Sequence, residues 1–282
     1  MAGTLFVVAT PIGNLEDITM RAVRILGQVR LIAAEDTRRT AHLLARYAIQ
    51  TPTTSLHEHN EVKKAATLIE RLERGDDIAL VSDAGTPTIS DPGQRLIQSA
   101  IKSGIRVEPV PGASAAVAAL AGSGIGDGTF TFLGFPPVRS KDRISWFEQL
   151  RTAGRTVVFF EAPHRLRETL FELRRMIGDC NLSIARELTK VHEEFKHGRI
   201  SELLPEFDDP TGEFTVIVDI GHSTDIKPAE SLSPAQIFAE FCCMTNSGHL
   251  SRRNAIHQLA RRHGMAPNDV YDAVEHGRKL AK

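Results

Sequence analysis

One stretch constrains this chain more than any other: Leu80-Val-Ser-Asp-Ala-Gly-Thr-Pro-Thr-Ile-Ser-Asp-Pro-Gly93. The apolar run Ile78 to Val81 enters it as a buried strand. Two prolines, two glycines and two aspartates then break regular structure, before a helical pattern resumes near Gln94–Ser103. Proline fixes φ and removes a donor, and glycine admits backbone shapes closed to other residues. A loop this constrained, at the carboxyl end of a strand, is where open α/β sheets hold ligands.

The rest of the first half supplies such a sheet. Leu5–Ala9, Leu31–Ala34, Thr53–Leu56, Ile78–Val81 and Arg106–Val110 read as strands. Between them lie helical patterns, with Asp17 expected to cap the first, Thr40–Tyr47 the second and Glu61–Arg74 the third, closed by Gly75. This alternation predicts a largely parallel sheet with helices on both faces. The small, glycine-rich Leu120–Gly128 marks the expected boundary to a second α/β unit with strands at Thr129–Leu133, Thr156–Glu161, Ser183–Leu188 and Phe214–Ile220 and a strong helix over Pro163–Ile177. The expectation is two α/β domains, 1–121 and 122–222, with a ligand cleft between them. A linker and small helical C-terminal tail domain, 223–282, follow.

The bulk numbers limit function. With 34 basic and 35 acidic residues the net charge is −1, which excludes a globally basic nucleic-acid coat but not a local basic surface. Cys180, Cys242 and Cys243 have no C-x-x-C spacing, so neither a disulfide framework nor a zinc site is indicated, and a reducing, cytoplasmic compartment is expected. The first residues lack the pattern of a signal peptide, and no run is long enough to cross a bilayer. The tail from His249 to Lys282 carries seven Arg/Lys against three Asp/Glu. Arg252, Arg253, Arg261 and Arg262 are spaced to share a helical flank that Ser251 would cap. Such a flank suits phosphates as well as it suits solvent.

Two further loops resemble the first in chemistry. Ala9-Thr-Pro-Ile-Gly-Asn-Leu15 follows strand one, with Pro11 and Gly13 shaping a tight turn. Val110-Pro-Gly-Ala-Ser-Ala115 follows strand five, and there Ser114 reads as a helix N-cap while Pro111 and Gly112 exceed what a cap needs. All three loops lack basic residues, and neither G-x-G-x-x-G nor a P-loop is present. The ligand they suit is adenosine-like, neutral or cationic, held by backbone polar groups. Charged clusters end two other strands: Ala34-Glu-Asp-Thr-Arg-Arg-Thr40 and Ser55-Leu-His-Glu-His-Asn-Glu61. His57 and His59 sit at strand spacing, yet no third metal ligand accompanies them. Glu61 reads as a cap or solvated charge. Arg186, Glu187 and Lys190 are candidates for a polar cleft between domains, whereas Arg167 and Glu168 read as intrahelical pairs.

Taken in order, VATPIGNLEDIT, AEDTRRT, SLHEHNE, LVSDAGTPTISDPG, PVPGASAA, FFEAPHRL and ARELTKVHEE resemble the tetrapyrrole methylase superfamily, and within it the branch that methylates ribose in ribosomal RNA. The resemblance runs from about Leu5 to Ile220. It implies two α/β domains with S-adenosylmethionine between them, a homodimer, and 2′-O-methylation of a cytidine in the decoding region of 16S small-subunit ribosomal RNA, with the assembled 30S particle as the expected substrate. Carried over by position, the cofactor would meet Pro11, the loop with Asp83, Gly85, Thr86, Pro87, Ile89 and Ser90, then Pro111, Gly112 and Ala113, and the second domain near Phe160 and Glu213. Glu35, Asp36, Arg38, His57 and Glu58 would serve the RNA side and its chemistry. After Gly134 the chain departs from the family pattern, Phe135 to Lys141 being less basic and less glycine-rich. A porphyrin-type small-molecule methylase is the competing enzyme reading, and a non-catalytic binding module a third.

Overall fold

The computed structural model describes residues 2–280 apart from Gly154, Asp209, 222–233, 247–250, Gly264 and Ala266. The first half runs β1 (Thr4–Val8), α1 (Met20–Gln28), β2 (Leu31–Ala34), α2 (Thr37–Arg46), β3 (Thr53–Ser55), α3 (Glu61–Glu73), β4 (Ile78–Val81), α4 (Gln94–Lys102) and β5 (Arg106–Val110). Its strands form a parallel sheet in the order β3-β2-β4-β1-β5. β2 and β4 are buried at every position, as strands covered on both faces must be. Leu5, Ala33 and Leu80 pack under α3 and α4 with Leu68, Leu72 and Leu96. Val8, Ile32 and Val81 point the other way, onto Ile25, Leu26 and Leu44 of α1 and α2. Because β1 and β4 are neighbours at the centre, the loops leaving their carboxyl ends share one crevice, and the loop after β5 closes its side.

Three local expectations are corrected. Thr19, not Asp17, caps α1, its side chain accepting from Ala22 N–H; residues Leu15–Asp17 form a 3-10 turn capped by Asn14. α2 starts earlier than Thr40, because the Asp36 side chain caps it by accepting from Arg38 N–H. Glu61 is neither solvated nor a cap of its own helix. It is buried, and its Oε1 accepts from Arg95 N–H at 2.8 Å, capping α4. Gly93 at the start of α4 has φ +118° and no side chain with which to do so.

The second half runs α5 (Ala115–Ser123), β6 (Phe130–Phe132), α6 (Ser140–Thr152), β7 (Thr156–Glu161), α7 (Pro163–Ile177), β8 (Asn181–Arg186), β9 (Glu194–Arg199), α8 (Ile200–Leu203) and β10 (Phe214–Asp219). The sheet order is β6-β7-β10-β8-β9, parallel only at β6–β7. Val157 and Phe159 face α6 and α7. Val158, Ala185 and Ile217 face α5, with Phe160 beside them. α5 thus lies across residues 121 and 122 and packs on the second sheet, though it follows directly from the first. Sequence periodicity did not reveal α6 or β9. α6 is charged along most of its length and holds on through Trp146, Phe147 and Leu150, while β9 is a polar edge strand.

The tail forms α9 (Pro234–Asn246), α10 (Arg252–His263) and α11 (Pro267–Leu280) around its own core of Ile237, Phe241, Leu259, Val270 and Val274. Most of the expected linker, at 222–233, lies outside the described residues. Ser251 does cap α10, accepting from Asn254 N–H at 3.3 Å. Arg252, expected on a free basic flank, instead pairs with Glu275 and lies over the rings of Phe241 and Tyr271. The side chains of Arg261 and Arg262 lie outside the described residues. No helix among the described residues is long and apolar enough to cross a membrane.

Candidate functional site

The three strand-end loops are tied to one another by backbone. Thr10 and Gly85 form an antiparallel bridge, Thr10 N–H donating to Gly85 O at 2.9 Å and Gly85 N–H to Thr10 O at 3.0 Å. Thr10 Oγ1 also donates to Ser82 O at 3.2 Å, and Thr86 Oγ1 donates to Ala113 O at 3.2 Å. Gly85 has φ +80° and Ser90 φ +70°, left-handed shapes that glycine adopts freely and serine at a cost. At Gly112 any Cβ would lie 2.9 Å from the Ala9 Cβ, so the third loop can approach the first only with glycine there. Pro11, Gly85 and Pro87 are buried in this cradle. Pro111, Gly112, Ile89 and Ser90 are exposed at its rim, with Thr86, Ala113 and Asp83 between. Ser114 occupies the N-cap position of α5 but makes no capping bond, so that role is corrected too.

The acidic cluster joins this cradle through Asp83. Asp83 N–H donates to Glu35 Oε2 at 3.2 Å, its Oδ1 accepts from Asp36 N–H at 2.9 Å, and Arg39 stands 3.5 Å from its Oδ2. Asp83 therefore braces the end of β2 against the loop after β4. Hydrogen bonds from the Arg38 guanidinium and backbone hold the Asp36 carboxyl far below the usual carboxylate range, while Arg38 itself stays exposed. β2 and β3 pair up to Ala34 and Ser55, which brings the Glu35 and His57 segments to adjacent strand ends. His57 is half-buried, with Nε2 at 3.0 Å from Asn60 Nδ2 and Nδ1 buried without a partner. Its ring lies 6.0 Å from that of His59, and Glu58 is exposed. Among the described residues no group of three or more His, Cys, Asp or Glu could hold a metal ion.

Asp91 stands beside Glu35, Asp83 and Ser82. Burial pushes its carboxyl up to about 6, against a hydrogen bond from Ser82 that lowers it and with help from the charges of Glu35 and Asp83. The folded protein keeps this proton between the ordinary value of 3.8 and about 6, where the unfolded chain has released it. Stability from this group is therefore present below about pH 4 and lost as pH rises through about 6. Asp91→Asn should raise the unfolding free energy near pH 7 by about 1 kcal/mol, discounted for partial exposure, and leave it unchanged near pH 4. Urea titrations at the two pH values measure the difference, and an equal gain at both would remove Asp91 as its source.

The second domain meets the cradle at two places. At Gly13 a Cβ would fall 2.6 Å from Lys190 Cγ and 2.7 Å from Thr189 Oγ1, and Asn14 N–H donates to that hydroxyl at 2.9 Å. Lys190 Nζ in turn bonds Glu187 at 3.0 Å and Glu213 at 2.9 Å. Burial opposes charge on Glu187, but Lys190 and the Glu213 N–H prevail and hold its carboxyl below the ordinary value. The second meeting place is Gly134, whose Cβ would lie 3.2 Å from Ser90 Oγ and whose carbonyl accepts from Phe160 N–H at 2.8 Å. Among the described residues the ion pair of Arg167 lies outside its helix, with Asp208 at 3.2 Å, while within α7 it lies over the ring of Phe171. Sequence reading missed Thr10 and Ser82, whose roles are hydrogen bonds to distant backbone and leave no local signature.

Two cavities differ in size and place. One of ≈ 90 Å³ opens at the strand ends, lined by Thr10, Pro11, Arg39, Ser82 and Asp83. A larger one of ≈ 1000 Å³ lies between α6–α7 and the tail, where Arg143 is paired with Glu172 and Arg167 with Asp208. The smaller one adjoins two of the constrained loops through Thr10, Pro11 and Ser82, with Asp83 in its wall, which makes it the candidate site. The larger is a gap between α6–α7 and the tail whose ion pairs already spend much of its charge.

A parallel sheet with a backbone cradle at its central strand ends, facing a mixed sheet across a cleft, places the chain in a known class. It belongs to the tetrapyrrole (corrin/porphyrin) methylases, whose family model matches residues 4–204. Within that family it is 45% identical over 276 residues to the ribosomal RNA small subunit methyltransferase I of Halalkalibacterium halodurans, covering 96% of this chain and 94% of that one. The protein of the same name from Bacillus subtilis is 41% identical over 273 residues, with 96% and 94% covered. Among solved structures, diphthine synthase matches with a TM-score of 0.62 at 15% identity, covering 77% of this chain and 90% of that one. Thermus thermophilus uroporphyrin-III C-methyl transferase, complexed with S-adenyl homocysteine, matches at 0.56 and 17% identity, covering 77% and 98%. At such identities the likeness to these structures is one of fold.

Proposed function

We propose that the protein transfers a methyl group from S-adenosylmethionine to the 2′-hydroxyl of a cytidine ribose in the decoding region of 16S small-subunit ribosomal RNA. The curated relatives, named as small-subunit ribosomal RNA methyltransferases over nearly the whole chain, support the substrate class. The observation that carries the reading is the junction at Asp83, which fastens the Glu35 cluster to the cradle so that acceptor and donor sites share one crevice.

The cradle fits the cofactor chemically. Its three loops offer backbone N–H and C=O groups and carry no basic side chain of their own, Asp83 lines the cavity beside them, and Arg39 of α2 stands 3.5 Å from that carboxylate. Pro11, Gly85, Thr86, Pro87, Ile89, Ser90, Pro111, Gly112 and Ala113 would hold the cofactor from the first domain, Phe160 and Glu213 from the second. When bound, it supplies an electrophilic methyl group. The protein's task is then to align the ribose oxygen in line with that methyl and to exclude water. A ribose hydroxyl is a weak nucleophile at neutral pH, so a proton acceptor assists. Asp36, held ionised by Arg38, is a poor base; Glu35, His57 and Glu58 remain for the proton, and Arg38 for phosphate.

The substrate in this reading is the assembled 30S particle, the working form a homodimer, and the compartment the cytoplasm. Arg253, exposed on α10, is the tail's described contribution to backbone phosphates. The test is incubation with methyl-labelled S-adenosylmethionine and free ribosomal RNA, small subunits or a porphyrinogen. Label should appear on ribose of small-subunit RNA. Label on porphyrinogen alone would sink the proposal, and binding without transfer would leave only a binding module.

A further inference from the structure

The segment between β6 and α6 carries an aromatic residue whose exposure serves nothing in the fold. Phe135 is 53% exposed although about 1.5–3 kcal/mol is available for burying such a side chain. It is nonetheless held fixed. Its ring leans on Phe160 at 5.4 Å between centroids, and Phe160 rests edge-on against Phe132 at 4.9 Å. Arg165 Nη2 donates to Pro136 O at 2.6 Å and Pro137 O at 3.1 Å, and Arg143 Nη1 reaches Pro137 O at 3.4 Å. Arg165 is itself anchored 3.6 Å from Glu161, whose side chain is 0% exposed and also accepts from Thr169. A buried polar network is thus committed to fixing a loop whose principal side chain points outward.

The loop lies at the cleft. Phe160 projects from the face of the second sheet that carries α5, and Gly134, next to Phe135, abuts Ser90 of the cradle. Whatever ribose reaches the cradle carries its base on the carbon next to the one that bears the reacting hydroxyl. A base withdrawn from its own stack needs a new surface, and aromatic rings supply it in proteins that read unstacked RNA. Val138 and Arg139, both exposed, extend the platform with an apolar and a cationic flank.

We propose that Phe135 is the platform on which the base of the methylated nucleotide stacks, buttressed by Phe160 and held in place by Arg165. This rests on the RNA methylation reading above. The test compares Phe135→Ala, Phe135→Leu and Phe135→Trp for methylation of small ribosomal subunits and for S-adenosylhomocysteine affinity by calorimetry. Phe135→Ala should raise KM for subunits about tenfold, the range of one lost base–aromatic stack, with S-adenosylhomocysteine affinity unchanged. Phe135→Trp should restore KM. Phe135→Leu keeps an apolar cover over Phe160 without a π face and should behave as Phe135→Ala. A parallel loss of S-adenosylhomocysteine affinity would make Phe135 a cofactor wall and overturn the proposal, as would a fully active Phe135→Leu. Failure of the unsubstituted protein to methylate subunits would remove the parent reading as well, and shows before any variant is compared.

Discussion

Gly85→Val should weaken S-adenosylhomocysteine binding roughly 30- to 100-fold, the equivalent of about 2–3 kcal/mol. Gly85 holds φ +80°, where a β-branched residue is a genuine outlier. A Cβ there would already stand 3.4 Å from Ile12 Cγ2 and 3.7 Å from Ala113 O, so the γ-methyls have no room. The free protein can relieve this by giving up the Thr10–Gly85 bridge, although both residues are buried. The strain then falls on binding, because only the original loop shape presents the cradle. Calorimetric titration measures the affinity, and urea unfolding reads the separate cost of giving up the buried bridge. Undiminished affinity would mean that this loop is not a wall of the cofactor pocket.

Arg165→Ala should cost about 3 kcal/mol of stability, because it leaves the buried Glu161 carboxylate without its cation. It also frees the Pro136 carbonyl and leaves that of Pro137 only the longer bond from Arg143, so subunit methylation should fall further than stability alone explains. The control is the double variant with Glu161→Gln. If charge pairing is the source of the loss, the double variant is less destabilised than the sum of the two single ones. Simple additivity in urea unfolding would show that Arg165 acts by packing, and the loop would need another anchor.

Much of the first domain was legible because its signals are local. β2 and β4 are unbroken apolar runs, the helices between strands keep a period near 3.6, and proline and glycine mark the strand-end loops. The helix over Pro163–Ile177 was legible for the same reason. What escaped was carried by pairs distant in sequence. Glu61 looked like a solvated charge because its helix, α4, begins more than thirty residues later. The bridge between Thr10 and Gly85 joins residues 75 apart with antiparallel geometry beside a parallel sheet, which no periodicity announces. Arg252 looked free because the aromatic rings that hold it belong to the helices before and after its own. The three loops of the candidate site were therefore readable from their composition, whereas the hydrogen bonds that brace them were not.

α5 has a mechanical consequence. It is seated on the second sheet through Ala116 and Ala119, yet only Pro111 to Ser114 separate it from β5 of the first. Those few residues are at once the connection between the two bodies and part of the cradle's rim. A swing that widens the cleft must turn about them, drawing Ala113 away from Thr86 as it does so. The molecule is in this respect a clasp whose hinge pin is also its jaw. Any displacement of one body against the other is therefore felt first at the bond from Thr86 to Ala113.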